Sequence, residues 1–385
     1  MAYGGTVQPL TAAQQRVLGL LHRRGRLSRR AVARQLGVSP SGITEAVAGL
    51  IAAGAVQEVA RRNGPVGRPS TLLDINEEFV YAVGVTLAGD ALHPVLIDLA
   101  GNLVDELARP FPSCSAVGCV LESTRDAVWE LLRKHQTLTE RVCGIGIGLT
   151  GLVDGASSLC RLSVQLGWQD LDLAPLLKQH FALPVFVSND ANALAQAEHL
   201  FGVGRDEDHL VVISTHHGIG AGLITQGNLY EGAWGSAGEI GHFSVAGVDR
   251  PCSCGKSGCL ETVASPRAIL AELARSARPM TIEQASAALT AGDPEVRRIA
   301  EEAASALGLA VSYIAALVNP GAIVLCGSPL HCNPIFVEAF RRAALAHTLP
   351  AIHPHTKILV DAASDRIWSR GAASLALRRF LGEVR

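Results

Sequence analysis

The chain has 385 residues, 48% apolar and 18% charged, with a net charge of −2. That balance excludes an intrinsically disordered chain, and the length predicts two or three domains with cores of their own. No run approaches the roughly 18 uninterrupted apolar residues of a membrane span and the N-terminus lacks an apolar signal core, so a cytoplasmic protein with no membrane partner is expected. The nine cysteines are odd in number. Cys114, Cys119, Cys143, Cys160, Cys326 and Cys332 are scattered among apolar segments and read as small buried hydrophobes in a reducing compartment.

The small net charge hides an asymmetry. Residues 1–70 hold ten arginines and no lysine, against only Glu45 and Glu58 as acids. A basic head on an acidic body points to a head that meets a polyanion. Within that head (residues 1–76), Leu10, Val17, Leu18, Leu20 and Leu21 form a helical stripe. Ser28 is placed to cap a second helix, with Ala31, Val32 and Leu36 facing inward. Gly37-Val38 make a tight turn. Ser39 is placed to cap a third helix with Pro40 at its first position, running through Ile43, Val47, Leu50 and Ile51 to Gly54. Helix, short turn, helix is the helix-turn-helix pattern, whose second helix enters the major groove. Strands are expected at 55–59 and 70–75, joined by a basic tip rich in Gly and Pro. This predicts a winged helix-turn-helix with operator DNA as partner. Ser39, Ser41 and Thr44 are candidates for base or phosphate contact. Glu45 either accepts from a cytosine amino group or faces solvent. Arg61, Arg62 and Arg68 are candidates for phosphates or the minor groove. A three-helix protein-binding module is the competing reading, which the arginine excess disfavours.

In the body, apolar runs at 80–87, 92–99 and 103–110 predict three strands joined by hairpin turns. A helix is expected over 116–135, a strand over 142–149, a helix over 171–180, a strand over 184–188 and a helix over 191–201. The pattern then recurs. Strands are expected at 209–215, 219–225, 322–326 and 357–360, with a long helix near 294–318 and a last one near 371–381. Three antiparallel strands followed by alternating helices and strands, seen twice, predict an α/β body of two similar lobes with a ligand cleft between them. The lobes are expected at 77–190 and 191–365, with a C-terminal helix (about 366–385) returning to the first.

The second lobe contains the most specific stretch, Gly238 to Glu261. His242, Cys252, Cys254 and Cys259 make a complete tetrahedral set for a structural zinc, with no position open for water. A metal there would fix Glu239 and Glu261 at the ends of the loop. Carboxylates accept paired hydrogen bonds from neighbouring hydroxyls, which suits a sugar or another polyol.

Gly238 to Glu261, together with Val187-Ser188-Asn189-Asp190-Ala191-Asn192-Ala193 and the winged head, resembles the ROK family (repressors, open reading frames and kinases). The likeness covers nearly the whole chain and is strongest to the branch of xylose, N-acetylglucosamine and glucose regulators. It implies an actin-like ATPase (hexokinase-like) body. It also implies sugar contacts at Asn189, Asp190, Glu239, His242 and Glu261, with Gly151 and Gln165 where the first lobe approaches the sugar. Asp190 matches the kinase base that takes the proton from the sugar hydroxyl.

Kinases of the family open the body with Gly-x-Asp-x-Gly-Gly-Thr, where the Asp manages magnesium and the glycines let backbone N–H groups reach phosphate. Here Thr86 replaces the Asp, Ala88 a Gly and Asp90 the Thr. His216-His217-Gly218 stands for Gly-Thr-Gly, and Leu325-Cys326-Gly327-Ser328 for a Gly-Gly pair. The histidine pair is not read as a metal site. These departures favour a sugar-responsive regulator, a repressor that binds sugar without phosphorylating it. Reading two half-sites calls for a homodimer or homotetramer. A sugar kinase with a DNA-binding head, and a DNA-binding scaffold that senses nothing, are the alternatives.

Overall fold

The computed structural model describes residues 7–39, 41–60, 71–114, 116–216, 218–351, 355–362 and 366–382. Pro40, Arg61, Arg62, Arg68 and His217, singled out above, lie outside the described residues.

The head begins with helix Ala12–Arg24. The Thr11 hydroxyl accepts from the Gln14 N–H, and the Gln14 side chain accepts from the Thr11 N–H, so two otherwise orphaned donors are satisfied. Ser28 caps helix Arg29–Leu36 as expected, and Gly37 ends it at φ 68°. Ser39 caps as expected, but the first turn it heads is 3-10 rather than α. It accepts from the Gly42 N–H at 3.2 Å and so heads a single 3-10 turn, Ser41–Ile43. The α-helix proper is Thr44–Ala52 and has no side-chain cap. The preceding turn continues the chain into the helix, which removes the need for one. Strands Val56–Ala60 and Thr71–Ile75 pair antiparallel from Val56–Ile75 to Ala60–Thr71, with Leu27–Ser28 on the other edge of Thr71–Ile75. This is the stem of the wing.

The body holds two five-stranded sheets of one topology. In the first, the strand order is Val185–Asn189, Val142–Leu149, Tyr81–Leu87, Val95–Asp98, Leu103–Glu106. In the second it is Asn228–Leu229, Gly220–Thr225, Leu210–Thr215, Ala322–Gly327, Lys357–Asp361. Each sheet joins an antiparallel meander to two parallel strands on the other side of its first strand. The repeat expected from the apolar runs is therefore real. One expected helix is partly a strand. Residues 171–172 belong to Trp168–Asp172, which pairs with Leu159–Ser163 in a small sheet with Leu152–Asp154, and the helix starts only at Ala174. Pairing with a distant strand overrode the local pattern.

Helix Pro294–Val318 is long and apolar enough, by length and composition, to cross a membrane. Its Val296, Ile299, Ala303, Leu307, Val311 and Ile314 are instead buried in the core of the second lobe, against helix Pro334–His347 and the second sheet.

The C-terminal helix Arg366–Phe380 lies across strands Tyr81–Leu87 and Val142–Leu149 of the first sheet. Gly84 and Gly146 permit that approach. A Cβ at Gly84 would overlap the Ser369 carbonyl oxygen, and one at Gly146 the Ala372 carbonyl oxygen. The same helix carries the head. Leu377 and Leu381 share one apolar cluster with Val17, Leu18 and Leu21 of the first helix and with Ile97 and Leu99 of the body. His22 seals the junction. Its Nε2–H donates to the Leu99 carbonyl at 2.9 Å, and its ring meets Phe201 edge to face at 5.8 Å. Burial pushes its pKa down to about 4, so the ring is neutral.

Gly84→Ala or Gly146→Ala should force the C-terminal helix off the sheet and cost at least about 1–3 kcal/mol. Gly118→Ala, on an exposed helix face with nothing within 4 Å, should be neutral or stabilising by up to about 1 kcal/mol. Thermal unfolding of the three variants checks the contrast.

Candidate functional site

Strand Val185–Asn189 runs straight into helix Asp190–Leu200, and the junction sits between the two sheets. Asn189 is the last strand residue and the helix cap. Its Oδ1 accepts from the Asn192 N–H at 3.1 Å, and its Nδ2 donates to the Gly151 carbonyl at 2.8 Å. Gly151 has φ 102°, and a side chain there would overlap the Leu162 carbonyl oxygen. Two predicted residues are thus joined directly, and much of the hydrogen-bonding capacity of Asn189 goes to shaping the site. Asp190 opens the helix and accepts from the Ala191 N–H at 2.8 Å. The helix N-terminus favours its charge. Burial wins nonetheless and, with the Glu261 charge adding to it, pushes the pKa up to about 6.

The loop from Gly238 supplies the other wall. Gly238 passes so close to the Ala221 carbonyl that no side chain fits. The turn Ile240–His242 follows, and the chain then folds back on itself through bridges Ser244–Cys259 and Pro251–Ser257. This brings His242, Cys252, Cys254 and Cys259 together with their ligand atoms within 4.8 Å of one another, a set that could hold a metal ion. His242 Nδ1 is 3.7 Å from Cys252 Sγ, and Cys254 Sγ is 3.7 Å from Cys259 Sγ. The other ring nitrogen of His242, Nε2, stands 3.8 Å from Glu239 Oε2. Imidazoles that bind metals through one nitrogen commonly turn the other to a carboxylate. Glu261 accepts from the Ile219 N–H at 3.4 Å and lies 3.5 Å from the Arg267 guanidinium. Burial, then the charges of Asp190 and Glu261, push the Glu239 pKa up to about 7. Three carboxyls, Asp190, Glu239 and Glu261, therefore share one field across the cleft. Gln165 is apart from them, exposed on the turn between Leu159–Ser163 and Trp168–Asp172, and among the described residues has no hydrogen bond to the group.

The residues noted above as departures from the kinase pattern have other partners. Thr86 is buried, and its hydroxyl accepts from Ser369 of the C-terminal helix at 3.4 Å. The His216 ring lies on Trp368 with centroids 4.6 Å apart. A cavity of about 50 Å³ remains between Thr86, Ala88, Asp90, His216 and Trp368. Ser328, in the third altered loop, is bonded to the buried His331 at 2.8 Å.

In the head, Ser39, Ser41 and Thr44 are exposed together at the start of the third helix. Part of the arginine excess is spent internally. Arg16 donates to the Leu36 carbonyl, Arg26 pairs with Asp74 and Arg29 with Glu58. Arg30 and Arg34 remain exposed. Near the cleft the sequence reading missed Glu231, whose pKa is raised by burial and then by Asp154, and the Arg161 guanidinium stacked 5.2 Å over Trp234. A lone acid and one aromatic in a glycine-rich loop carry no spacing signal.

A winged helix-turn-helix joined to a two-lobed body, with carboxyls converging between the lobes, defines a DNA-binding protein built on a sugar-kinase-type fold. Comparison with known proteins agrees. The ROK family profile matches residues 82–379, and the winged helix-turn-helix DNA-binding profile matches residues 10–57. The chain belongs to the ROK family. It is 26% identical over 364 residues to the xylose repressor of Bacillus subtilis (strain 168), covering 93% of each chain. It is 27% identical over 378 residues to the DNA-binding transcriptional dual regulator NagC of Escherichia coli (strain K12), covering 96% of this chain and 93% of that one. Among solved structures, a ROK family transcriptional regulator homologous to the E. coli MLC protein superposes with a TM-score of 0.83 at 27% identity over 96% of both chains. A ROK family glucokinase from Streptomyces griseus, in complex with glucose and AMPPNP, superposes at 0.67 and 27% identity, covering 77% of this chain and 98% of that one.

The raised pKa of Asp190 makes a prediction with a definite sign. The folded, ligand-free protein binds this proton more tightly than the unfolded chain does. The stability contributed is full below the ordinary carboxylate range and is lost as pH rises through about 6. Asp190→Asn should flatten the fall in melting temperature across that interval, as followed by thermal unfolding in buffers of increasing pH.

Proposed function

We propose that this protein is a sugar-responsive transcriptional repressor that binds operator DNA through its head and a sugar in the cleft without phosphorylating it. The observation that carries the reading is the contrast within one cleft. Acceptor groups for hydroxyls converge at one end, while at the positions that stand for the kinase phosphate loops His216 packs against Trp368 and Thr86 bonds to Ser369. Asp190, Glu239, Glu261 and His242 would receive the sugar hydroxyls, with Asn189 and Gly151 shaping the floor and Gln165 at the rim. Zinc is the metal that best suits three thiolates and an imidazole, and it would act only as a structural tie. Ser39, Ser41 and Thr44 would meet the operator, with Arg61, Arg62 and Arg68 on the wing. Paired half-sites call for a homodimer or homotetramer. The relatives' roles support a cytoplasmic regulator, with a head at 1–76 and lobes at 77–190 and 191–365. The names of the relatives point to different sugars, so the particular ligand is left to experiment.

One helix supports coupling between the sites. Asp190–Leu200 has the cleft at its N-terminus, and Phe201, just past its other end, meets His22 of the head. A sugar that binds one lobe arrangement more tightly would shift this helix, and with it the head.

Asp190→Asn keeps the shape and turns an acceptor into a donor. It should weaken the sugar response at least about tenfold and leave operator binding without sugar intact. Sugar titrations followed by calorimetry and by DNA mobility shift measure both. Wild-type protein supplied with ATP, magnesium and the recognised sugar should show no steady phosphate transfer. Transfer at an ordinary enzyme rate would establish the kinase alternative.

A second measurement addresses the head. Arg61→Ala or Arg68→Ala should weaken binding to every DNA sequence and lower the salt slope by about one for each phosphate no longer neutralised, whereas Ser41→Ala should change sequence preference. Unchanged binding by both arginine variants would remove the wing from the interface.

A further inference from the structure

A second cluster of metal-ligating side chains lies away from the zinc-type loop, at the far end of helix Asp190–Leu200. Glu198 is on that helix, Cys326 on strand Ala322–Gly327 and Asp361 at the end of Lys357–Asp361. Cys326 and Asp361 are register partners in the parallel ladder, so their side chains leave the sheet on one face. Glu198 comes down on that face from the helix. One carboxylate oxygen from each acid and the thiol sulfur all lie within 4.8 Å of one another. Glu198 and Cys326 are 0% exposed.

The Glu198 carboxyl is the telling group. Its Oε2 accepts from the Val203 N–H at 3.1 Å, but Oε1 is buried with no donor. A buried carboxylate oxygen without a partner is costly, and a second carboxylate beside it adds repulsion. Glu198 is within hydrogen-bonding reach of Asp361, and a proton shared between them or a cation would satisfy this geometry. A shared proton leaves Cys326 only its apolar packing with Leu194, Val212 and Trp368. A cation uses all three groups. Arg370 lies near enough to act electrostatically on Glu198 and Asp361. With a divalent ion held by two carboxylates and a thiolate, its positive charge would offset the one negative charge left over. A mixed sulfur and oxygen set suits a borderline ion of the zinc type. Ligands at about 2.0–2.3 Å from such an ion stand roughly 3.3–3.8 Å apart, so the three atoms need only a small inward shift.

We propose that Glu198, Cys326 and Asp361 form a second, buried site for a zinc-type divalent ion, which pins the helix from the cleft to the second sheet beneath the head. Binding would release the Cys326 thiol proton. The inference does not depend on the regulatory reading above or on the metal of the loop.

The test is metal content by mass spectrometry after purification and dialysis with zinc, in wild type and in Glu198→Gln, Cys326→Ser, Asp361→Asn and Cys252→Ser. Support is about one zinc per chain that survives Cys252→Ser and is lost in the other three. Glu198→Gln supplies a side-chain donor toward Asp361 in place of the ion, which gives that variant a route to fold without metal. The proposal is overturned if wild type holds no zinc beyond what Cys252→Ser removes. It is also overturned if Glu198→Gln, folded by circular dichroism, keeps the full wild-type content, which assigns the cluster to a shared proton. Loss of the loop metal alone changes only the Cys252→Ser result, so the two sites are judged separately.

Discussion

The cleft depends on one side chain that faces three ways. Asn189 ends a strand of the first sheet, holds the Gly151 carbonyl through its amide N–H and caps the helix that packs on the second sheet. A neutral amide can do this because it both donates and accepts. An aspartate would lose the bond to Gly151, and an alanine would lose the cap as well. The carboxyl that follows, Asp190, is placed by that arrangement. It faces the cleft because the helix begins where it does.

Around this junction several elements are packed by close backbone approaches. Gly84 and Gly146 let the C-terminal helix lie on the first sheet, and Gly238 lets the loop lie against Ala221. The apolar cluster of the head is continuous with that of the helix and sheet beneath it. Removing water from so much of the interior makes the exceptions expensive. Asp190, Glu239 and Glu198 all have pKa values raised by burial. The first two face each other across the cleft, and the third lies at the other end of the helix that Asp190 opens.

The residues that stand where the family resemblance implies phosphate loops have partners of their own. Thr86 bonds to Ser369, and the His216 ring packs tilted against Trp368. Neither contact disturbs the sheets. One architecture can host different chemistries because phosphoryl transfer rests on positioning and charge.

Much of this was legible in the linear chain. The arginine-rich head, the two runs of alternating strand and helix, and the Cys and His spacing around residue 250 are local patterns, set by periodicity and by the few geometries that metals accept. Ser28 and the helix starting at Pro294 were read directly, because caps and helix breakers act within a few residues. The small sheet at Leu152–Asp172 was not legible, since its short strands depend on each other more than on their own residues. The Ser39 cap is present, but the 3-10 form of the turn after it was not legible, because a 3-10 turn and an α-helix begin with the same cap. Tertiary structure alone decided that Glu198, Cys326 and Asp361 meet, that His22 of the head lies on Phe201, and that three carboxyls share one dielectric environment. Residues so separated along the chain carry no mark of their contact in the sequence, because only the folded sheets and helix bring them together.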